Sequence, residues 1–380
     1  MFPKTILMTT DTVGGVWNYS LQLSQQLSAR GVRIALATMG EIPSRGQNEA
    51  VKKISNLVLF SSSYRLEWME DPWDDVAAAG AWLLKLERKV QADIIHLNGY
   101  AHGALAWKAP VCTVAHSCVL SWWEAVLHQP APASWSRYRA VVSEGIRCSD
   151  RLVAPSNAML NALQKFYGCL PPASVIYNGV ASERFRPAEK WPMVFSAGRI
   201  WDKAKNIEAI AQCAAVLPWR FVIAGEGSLP GQMPNNVVLI GKVSSEVIAH
   251  YMSFASIYCL PARYEPFGLS VLEAALSGCA LVLGDIESLR ELWEGAAVFV
   301  SPDDKTALER ELKRLMENEG HRKALGKLAR RRARRFTAER IASAYLRLYR
   351  QMLPWTRSSL SLSAFKGRQN LQTRFRDSSR

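Results

Sequence analysis

Short apolar runs alternate with amphipathic segments along most of this chain, and that rhythm predicts its elements. In the first half, the runs Thr5–Thr9, Val32–Thr38, Asn56–Phe60, Asp93–Leu97, Val111–Ala115, Arg151–Ala154 and Ser174–Tyr177 read as strands. In the second half, Met193–Ala197, Arg220–Ala224, Val237–Ile240, Ile257–Leu260, Ala280–Leu283 and Ala297–Val300 do the same. Helical patterns lie between them, such as Val16–Arg30 with Trp17, Leu21, Leu23, Leu27 and Ala29. Alternation of this kind predicts parallel, doubly wound α/β sheets, and the series runs twice. The break falls at 178–192, where Asn178-Gly179 is a turn signal and Arg186-Pro187 through Trp191-Pro192 reads as an extended linker. After Pro302-Asp303 come three helices, Thr306–Asn318, His321–Phe336 and Ala338–Leu353, the last stopped by Pro354. Two Rossmann-like domains, 1–185 and 186–336, facing each other across a cleft, are therefore expected. Residues 354–380, with Ser clusters and scattered Arg but no periodicity, read as a basic, mobile tail.

The length of 380 residues suits two domains of roughly 150–200 residues each, and 49% hydrophobic content can fill two cores. Charge changes the picture more. Residues 321–380 hold 17 of the 47 Lys and Arg but only two acids, Glu339 and Asp377. The rest of the chain is nearly neutral, so the pI near 9.6 belongs to the C-terminal sixth. That disfavours a nucleic-acid partner, whose basic footprint should lie across a folded face. In the basic helix 321–336, Leu325, Leu328, Arg332 and Phe336 form a stripe, with Arg330, Arg331, Arg334 and Arg335 around it. It reads either as a solvated helix or as peripheral attachment to an anionic membrane. Seven scattered cysteines without a CxxC pair or zinc spacing read as buried free thiols in a reducing compartment. No signal peptide and no apolar run of about 18 residues are visible, so a cytoplasmic protein is expected, at most peripheral on the inner face of the membrane.

Chemistry should gather at the carboxyl ends of the strands. The first such end is Thr9-Thr10-Asp11-Thr12-Val13-Gly14-Gly15-Val16, a strand entering a Gly-Gly loop that opens a helix. Such a loop lets the backbone approach a ligand and offers helix N–H groups to a phosphate. No GxGxxG fingerprint is present; Gly225-Glu226-Gly227-Ser228 is not followed by a clear helix, so a nicotinamide or flavin cofactor is not supported. No DxD pair is placed for a catalytic metal, and Asp303-Asp304 reads as a helix cap. The informative stretch runs from Pro261 to Gly278. A strand ends at Leu260 and a helix should start near Gly268, which puts Glu265 just before the helix and Glu273 one to two turns inside it. Loop amides for a diphosphate, and two carboxylates for sugar and ribose hydroxyls, are what a sugar nucleotide needs.

Here the sequence resembles glycosyltransferase family 4 and its GT-B relatives, the group 1 retaining glycosyltransferases of bacterial polysaccharide type. Glu265 and Glu273 have the E-x7-E spacing of that superfamily, within Arg263-Tyr-Glu-Pro-Phe-Gly-Leu269. Ala197-Gly198-Arg199-Ile200 with Lys205-Asn206 resembles the element whose Arg and Lys hold the donor diphosphate. Asn206 replaces the usual glycine and the spacing is one residue longer, which makes Lys203 a rival to Lys205. Gly14-Gly15 matches the loop that faces donor phosphates and acceptor, His116 the histidine that contacts the transferred sugar, and Asn178-Gly179 a further landmark.

The resemblance implies a GT-B fold whose C-terminal helix, about 338–353, crosses back to the first domain. It implies a retaining, metal-independent transfer of a hexose to an acceptor hydroxyl, with no cofactor beyond the sugar nucleotide. UDP-glucose is the expected donor, UDP-sugars being more common than GDP-sugars, and the acceptor a glycan or lipid-linked sugar. Glu265, His116, Arg199 and Lys205 are the catalytic candidates. Gly14, Gly15, Phe267, Gly268, Leu269 and Glu273 join Arg199, Lys205 and Glu265 in binding the donor. His96 and Asn98, at another strand end, are acceptor-side candidates; His102 and the Trp122-Trp123 pair are weaker ones. A soluble sugar-phosphate or glucan synthase, or a non-catalytic sugar-nucleotide-binding partner protein, are the alternatives.

Overall fold

A computed structural model describes residues 2–353; the expected basic tail, 354–380, lies outside the described residues. The first sheet contains β1 (Thr5–Asp11), β2 (Arg33–Met39), β3 (Leu57–Ser61), β4 (Ile94–Leu97), β5 (Val111–Val114), β6 (Arg151–Ala154) and β7 (Ala173–Val175). Its order is β3-β2-β1-β4-β5-β6-β7. The second contains β8 (Trp191–Ala197), β9 (Arg220–Ala224), β10 (Val237–Gly241), β11 (Ala255–Leu260), β12 (Ala280–Gly284) and β13 (Val298–Val300). Its order is β10-β9-β8-β11-β12-β13. All the ladder pairings of both sheets are parallel. Helices cover both faces, which is why central strands such as β11 are buried from end to end.

In each sheet the strand order reverses beside its first strand, β1 against β4 and β8 against β11. Crevices open at such switch points, so the two sheets turn their ligand-binding edges toward one cleft. Two sequence expectations change in detail. Trp191-Pro192 is not linker but the start of β8. Pro192 has no N–H to donate, and the β8–β11 register shifts there, Ala255 facing Trp191 but Ile257 facing Val194. In the basic helix, observed at Glu319–Ala333, the buried line is Leu325, Gly326, Ala329 and Ala333, while Leu328 points outward. Small residues are required because a Cβ on Gly326 would lie 2.6 Å from the Gly278 carbonyl oxygen.

Two strands of backbone connect the domains, and they pair: Val180 N–H donates to Phe336 O (3.3 Å) and Ala338 N–H to Val180 O (3.2 Å). Gly179 has no room for a side chain, since its Cβ would sit 2.7 Å from Phe336 backbone atoms. The C-terminal helix, Ala338–Met352, then packs on the first domain. Its buried face, Ile341, Ala342, Tyr345, Tyr349 and Met352, follows helical spacing and joins the core formed by Trp17, Leu23 and Leu27.

Candidate active site

On the second-domain wall, β8 ends in Gly198-Arg199. Gly198 N–H donates to Ala224 O (2.9 Å), and Gly225 lies so close that a Cβ there would sit 1.8 Å from Gly198 O. The Gly225-Glu226-Gly227 loop, without a phosphate fingerprint, is thus a backbone support for the arginine loop. The Arg199 guanidinium donates to Asp202 Oδ2 (2.8 Å) and stacks 4.9 Å above the Trp201 ring. Asp202 is itself buried and tied by its Oδ1 to Ala204 N–H (3.0 Å), so Arg199 is held from below. Neither Asp202 nor Trp201 is a motif position, and sequence reasoning missed both.

Lys205 and Lys203 are separated by the geometry. Lys203 is exposed; the half-buried Lys205 ammonium donates to Glu265 Oε2 at 2.6 Å. Asn206 stands where the family has glycine because it is in the left-handed region, φ 55, which Asn tolerates. Its side chain compensates: Nδ2 donates to Pro261 O (3.0 Å) and Pro302 O (2.7 Å), and Oδ1 accepts from Arg263 (2.7 Å).

Helix Leu269–Leu276 starts after Gly268, whose φ of 84 strongly favours glycine. Glu265 Oε1 accepts the Gly268 N–H (2.9 Å), so that amide, expected to face a diphosphate, is already occupied. Glu265 is therefore held on both oxygens. The Glu273 carboxylate is not: it is half-buried and makes no side-chain hydrogen bond among the described residues, and burial pushes its pKa up to about 7, with Arg184 pulling the other way. Phe267, expected at the donor, is 3% exposed and packs against Phe336 in the core. It shapes the loop and offers a ligand no side-chain surface.

The first-domain wall faces this one closely. A Cβ on Gly15 would lie 3.7 Å from Leu269 Cδ1, which sets the Gly14-Gly15 loop opposite the start of helix 269–276. Gly14 has φ 77. Asp11, at the end of β1, is a residue that sequence reasoning quoted without a role. Burial raises its carboxyl to about 7 against the opposing Val13 amide and Arg199 charge. His116 is half-buried, edge-on to Tyr19 at 4.6 Å between ring centroids, and burial lowers its pKa to about 3, so it is neutral. Its Nε2 is 2.8 Å from Asn98 Oδ1. His96, expected on the acceptor side, is 0% exposed, its ring nitrogens against Tyr349 Oη (2.6 Å) and Asn98 Oδ1 (3.1 Å). A strand end gave its position but not its facing. His102 is likewise buried, against Val76 O (3.0 Å), and Trp122 and Trp123 pack edge to face.

Direct bonds close the back of the cleft. Cys118 N–H and Ser121 Oγ meet Tyr264 Oη at 3.0 Å each, and Ser156 Oγ donates to Pro266 O (2.7 Å). Glu291, from the second domain, accepts the Asn157 and Ala158 N–H groups (2.8 and 3.0 Å) at the N-terminus of helix Asn157–Tyr167. A carboxylate there meets the positive end of the helix dipole. Asp303 and Asp304 do not form a metal pair: Asp304 caps the helix Lys305–Glu317 through Ala307 N–H (2.8 Å), and Asp303 pairs with Arg263. Among the described residues, no group of three or more His, Cys, Asp or Glu is arranged to hold a metal ion. None of the described helices is long and apolar enough to cross a membrane.

Two family models match consecutive parts of the chain: Glycosyltransferase Family 4 over residues 13–184, and Glycosyl transferases group 1 over residues 181–332. The glycogen synthase of Mycobacterium tuberculosis is 27% identical over 303 residues, covering 71% of this chain and 72% of that protein. The D-inositol 3-phosphate glycosyltransferase of Kineococcus radiotolerans is 24% identical, covering 90% and 91%. Among solved structures, sucrose-phosphate synthase from Thermosynechococcus elongatus superposes with a TM-score of 0.79 at 19% identity, covering 92% of this chain and 99% of that one. HepE of Anabaena, solved with UDP-glucose, gives 0.75 at 16% identity, covering 91% and 99%. These structures share the two-sheet architecture and its cleft.

Proposed function

Because the chain is a group 1 glycosyltransferase of the GT-B type, we propose that it transfers glucose from UDP-glucose to a glycan or lipid-linked acceptor, with retention of configuration. The observation that carries this reading is the asymmetry of the two glutamates. Glu265 is already bonded to Lys205 and to the Gly268 amide, whereas the Glu273 carboxylate, on the short helix that follows, has no hydrogen-bond partner among the described residues. Glu273 is assigned to the ribose hydroxyls, which a carboxylate can accept bidentately. Glu265 is assigned to positioning the donor sugar and Lys205.

As the bond between the sugar C1 and the diphosphate oxygen breaks, negative charge builds on the diphosphate. Arg199 and Lys205 stabilise it, together with the first-turn amides of helix Leu269–Leu276 at Leu269 and Ser270. The acceptor oxygen attacks from the same face, and its proton passes to the departing phosphate oxygen. His116 contacts the transferred sugar from the opposite wall. The leaving-group charge is thereby assigned to side chains rather than to a metal, and activity is expected to survive EDTA. The acceptor is assigned to the first-domain pocket lined by Asp11, Arg65, Trp68, Asn98, His116 and Ser117. Arg65 in that lining, a relative named for D-inositol 3-phosphate and a structural neighbour named for sucrose phosphate favour a second reading in which the acceptor is a soluble phosphorylated polyol or sugar phosphate. Exposed Arg331, Arg334 and Arg335 supply the surface for contact with an anionic membrane, if the acceptor is lipid-linked.

A thermal-shift screen of UDP-, GDP- and ADP-sugars tests the donor. UDP-glucose at 100 times its dissociation constant is expected to add about 2.7 kcal/mol of stability. A shift with GDP- or ADP-sugars but not UDP-glucose overturns the donor; no shift with any overturns the site.

A further inference from the structure

Asn98 is placed to bind an acceptor by its position in the chain, but its amide is fully used. Nδ2 donates to Thr9 O (2.7 Å) and Ser20 Oγ (3.1 Å). Oδ1 lies 2.8 Å from His116 Nε2 and 3.1 Å from His96 Nε2. A primary amide offers two donors and two acceptor lone pairs, and all four are taken. The amide cannot be turned over, because that would set its oxygen 2.7 Å from the Thr9 carbonyl, which only accepts.

The fixed amide dictates the protons around it. Oδ1 accepts, so both histidines carry their proton on Nε2. His96 Nδ1 is then a bare acceptor, and Tyr349 O–H, 2.6 Å away on the C-terminal helix, donates to it. His116 Nδ1 is bare as well, and no described residue donates to it. Both rings are neutral: burial holds His96 near pKa 4 and His116 near 3. Tyr345 stands edge-on to His96 at 5.2 Å, and Tyr19 edge-on to His116, so neither ring is free to turn.

We infer that Asn98 is a positioning residue for His116, not an acceptor ligand: backed by His96 and Tyr349, it fixes the Nε2–H tautomer and presents Nδ1 to the cleft as an acceptor for a hydroxyl of the transferred sugar. The last clause rests on the glycosyltransferase reading; the tautomer does not. The consequence is selective. A group that only accepts, such as a phosphate oxygen, gains nothing from His116, whereas a sugar hydroxyl gains a directed partner in a partly dry site.

Histidine-selective 15N NMR reads this in the ligand-free protein, with His116→Gln used to assign the resonance. His116 is expected as the Nε2–H form, unchanged from pH 8 to 5.5. In Asn98→Asp, whose carboxylate favours an imidazolium, His116 should titrate at higher pH, and kcat should fall about tenfold or more with the affinity for UDP unchanged. Tyr349→Phe should move the His96 Nδ1 resonance and leave the His116 tautomer in place, which provides a readout if Asn98→Asp does not fold. UDP-glucose should shift His116 Nδ1 and UDP alone should not. An Nδ1–H His116 in the unmodified protein overturns the inference. If the tautomer is as stated but bound UDP-glucose leaves Nδ1 unmoved, the sugar contact is overturned; if no sugar nucleotide binds, the donor reading fails while the tautomer stands.

Discussion

Glu273 and Asp11 both titrate near pH 7, but their effects on donor binding have opposite signs. Burial raises Glu273 above its ordinary value, and ribose hydroxyls favour its ionised form, so binding releases a proton and donor affinity rises as pH climbs toward 7. Asp11 faces Arg199, where a diphosphate favours the protonated acid, so its contribution falls over the same range. Glu273→Gln separates the two. In calorimetric titrations with UDP between pH 6 and 8, the variant is expected to bind several-fold more weakly at pH 8, and to lose the component of affinity that rises with pH. An unaltered profile would remove Glu273 from the ribose. The positions of Glu265, Glu273, Arg199 and Lys205 on the second-domain wall were legible in the sequence because each sits in a short local motif whose backbone context travels with it. Glu291 was not, since its partners on helix Asn157–Tyr167 reach it only through the fold; Asp202 and Trp201 lie within three residues of Arg199, but the turn of the loop, not a motif, sets them against the guanidinium. His96 and Phe267 were placed at the right level of the cleft but on the wrong side of the backbone, a distinction that strand-end position does not carry.

At the scale of elements, hydrophobic runs located the strands because parallel strands covered on both faces must be apolar throughout. What the runs do not encode is how tightly loops at the strand ends pack. Gly225 shows this. As part of a glycine loop without a following helix it gives no support for a dinucleotide cofactor, yet its φ of 157 and its close approach to Gly198 O make it the support for Arg199. Gly225→Ala is expected to cost about 1–3 kcal/mol in stability by urea unfolding, as overpacked positions do. It should also weaken UDP binding by displacing the arginine loop. Unchanged affinity in a destabilised variant would mean that Arg199 is not held by this contact. The basic helix teaches the same lesson. Its leucines suggested one apolar stripe, but close approach to the Gly278 turn selected the line of small residues, Gly326, Ala329 and Ala333.

At the scale of the molecule, two sheets with matching switch points bring their ligand edges together, and three devices fix their relation. The linker pairs with the chain at Val180 and Phe336, the C-terminal helix returns to the first core, and Glu291 caps a helix of the opposite domain. The doubled strand–helix series announced the two domains; the return of the C-terminal helix was expected from the family resemblance, and the linker pairing and the Glu291 cap, which join residues more than a hundred positions apart, were not announced at all. The arrangement makes sense if a sugar nucleotide is held by one wall and discharged toward the other. The most direct test is the rate of UDP release from UDP-glucose, with a membrane or glycan extract as acceptor, by the unmodified protein and by Lys205→Ala. Acceptor-dependent release that falls about 10²–10³-fold in the variant is the expected result. Release by the variant at the unmodified rate, or none by a protein shown to bind UDP-glucose, would contradict the account.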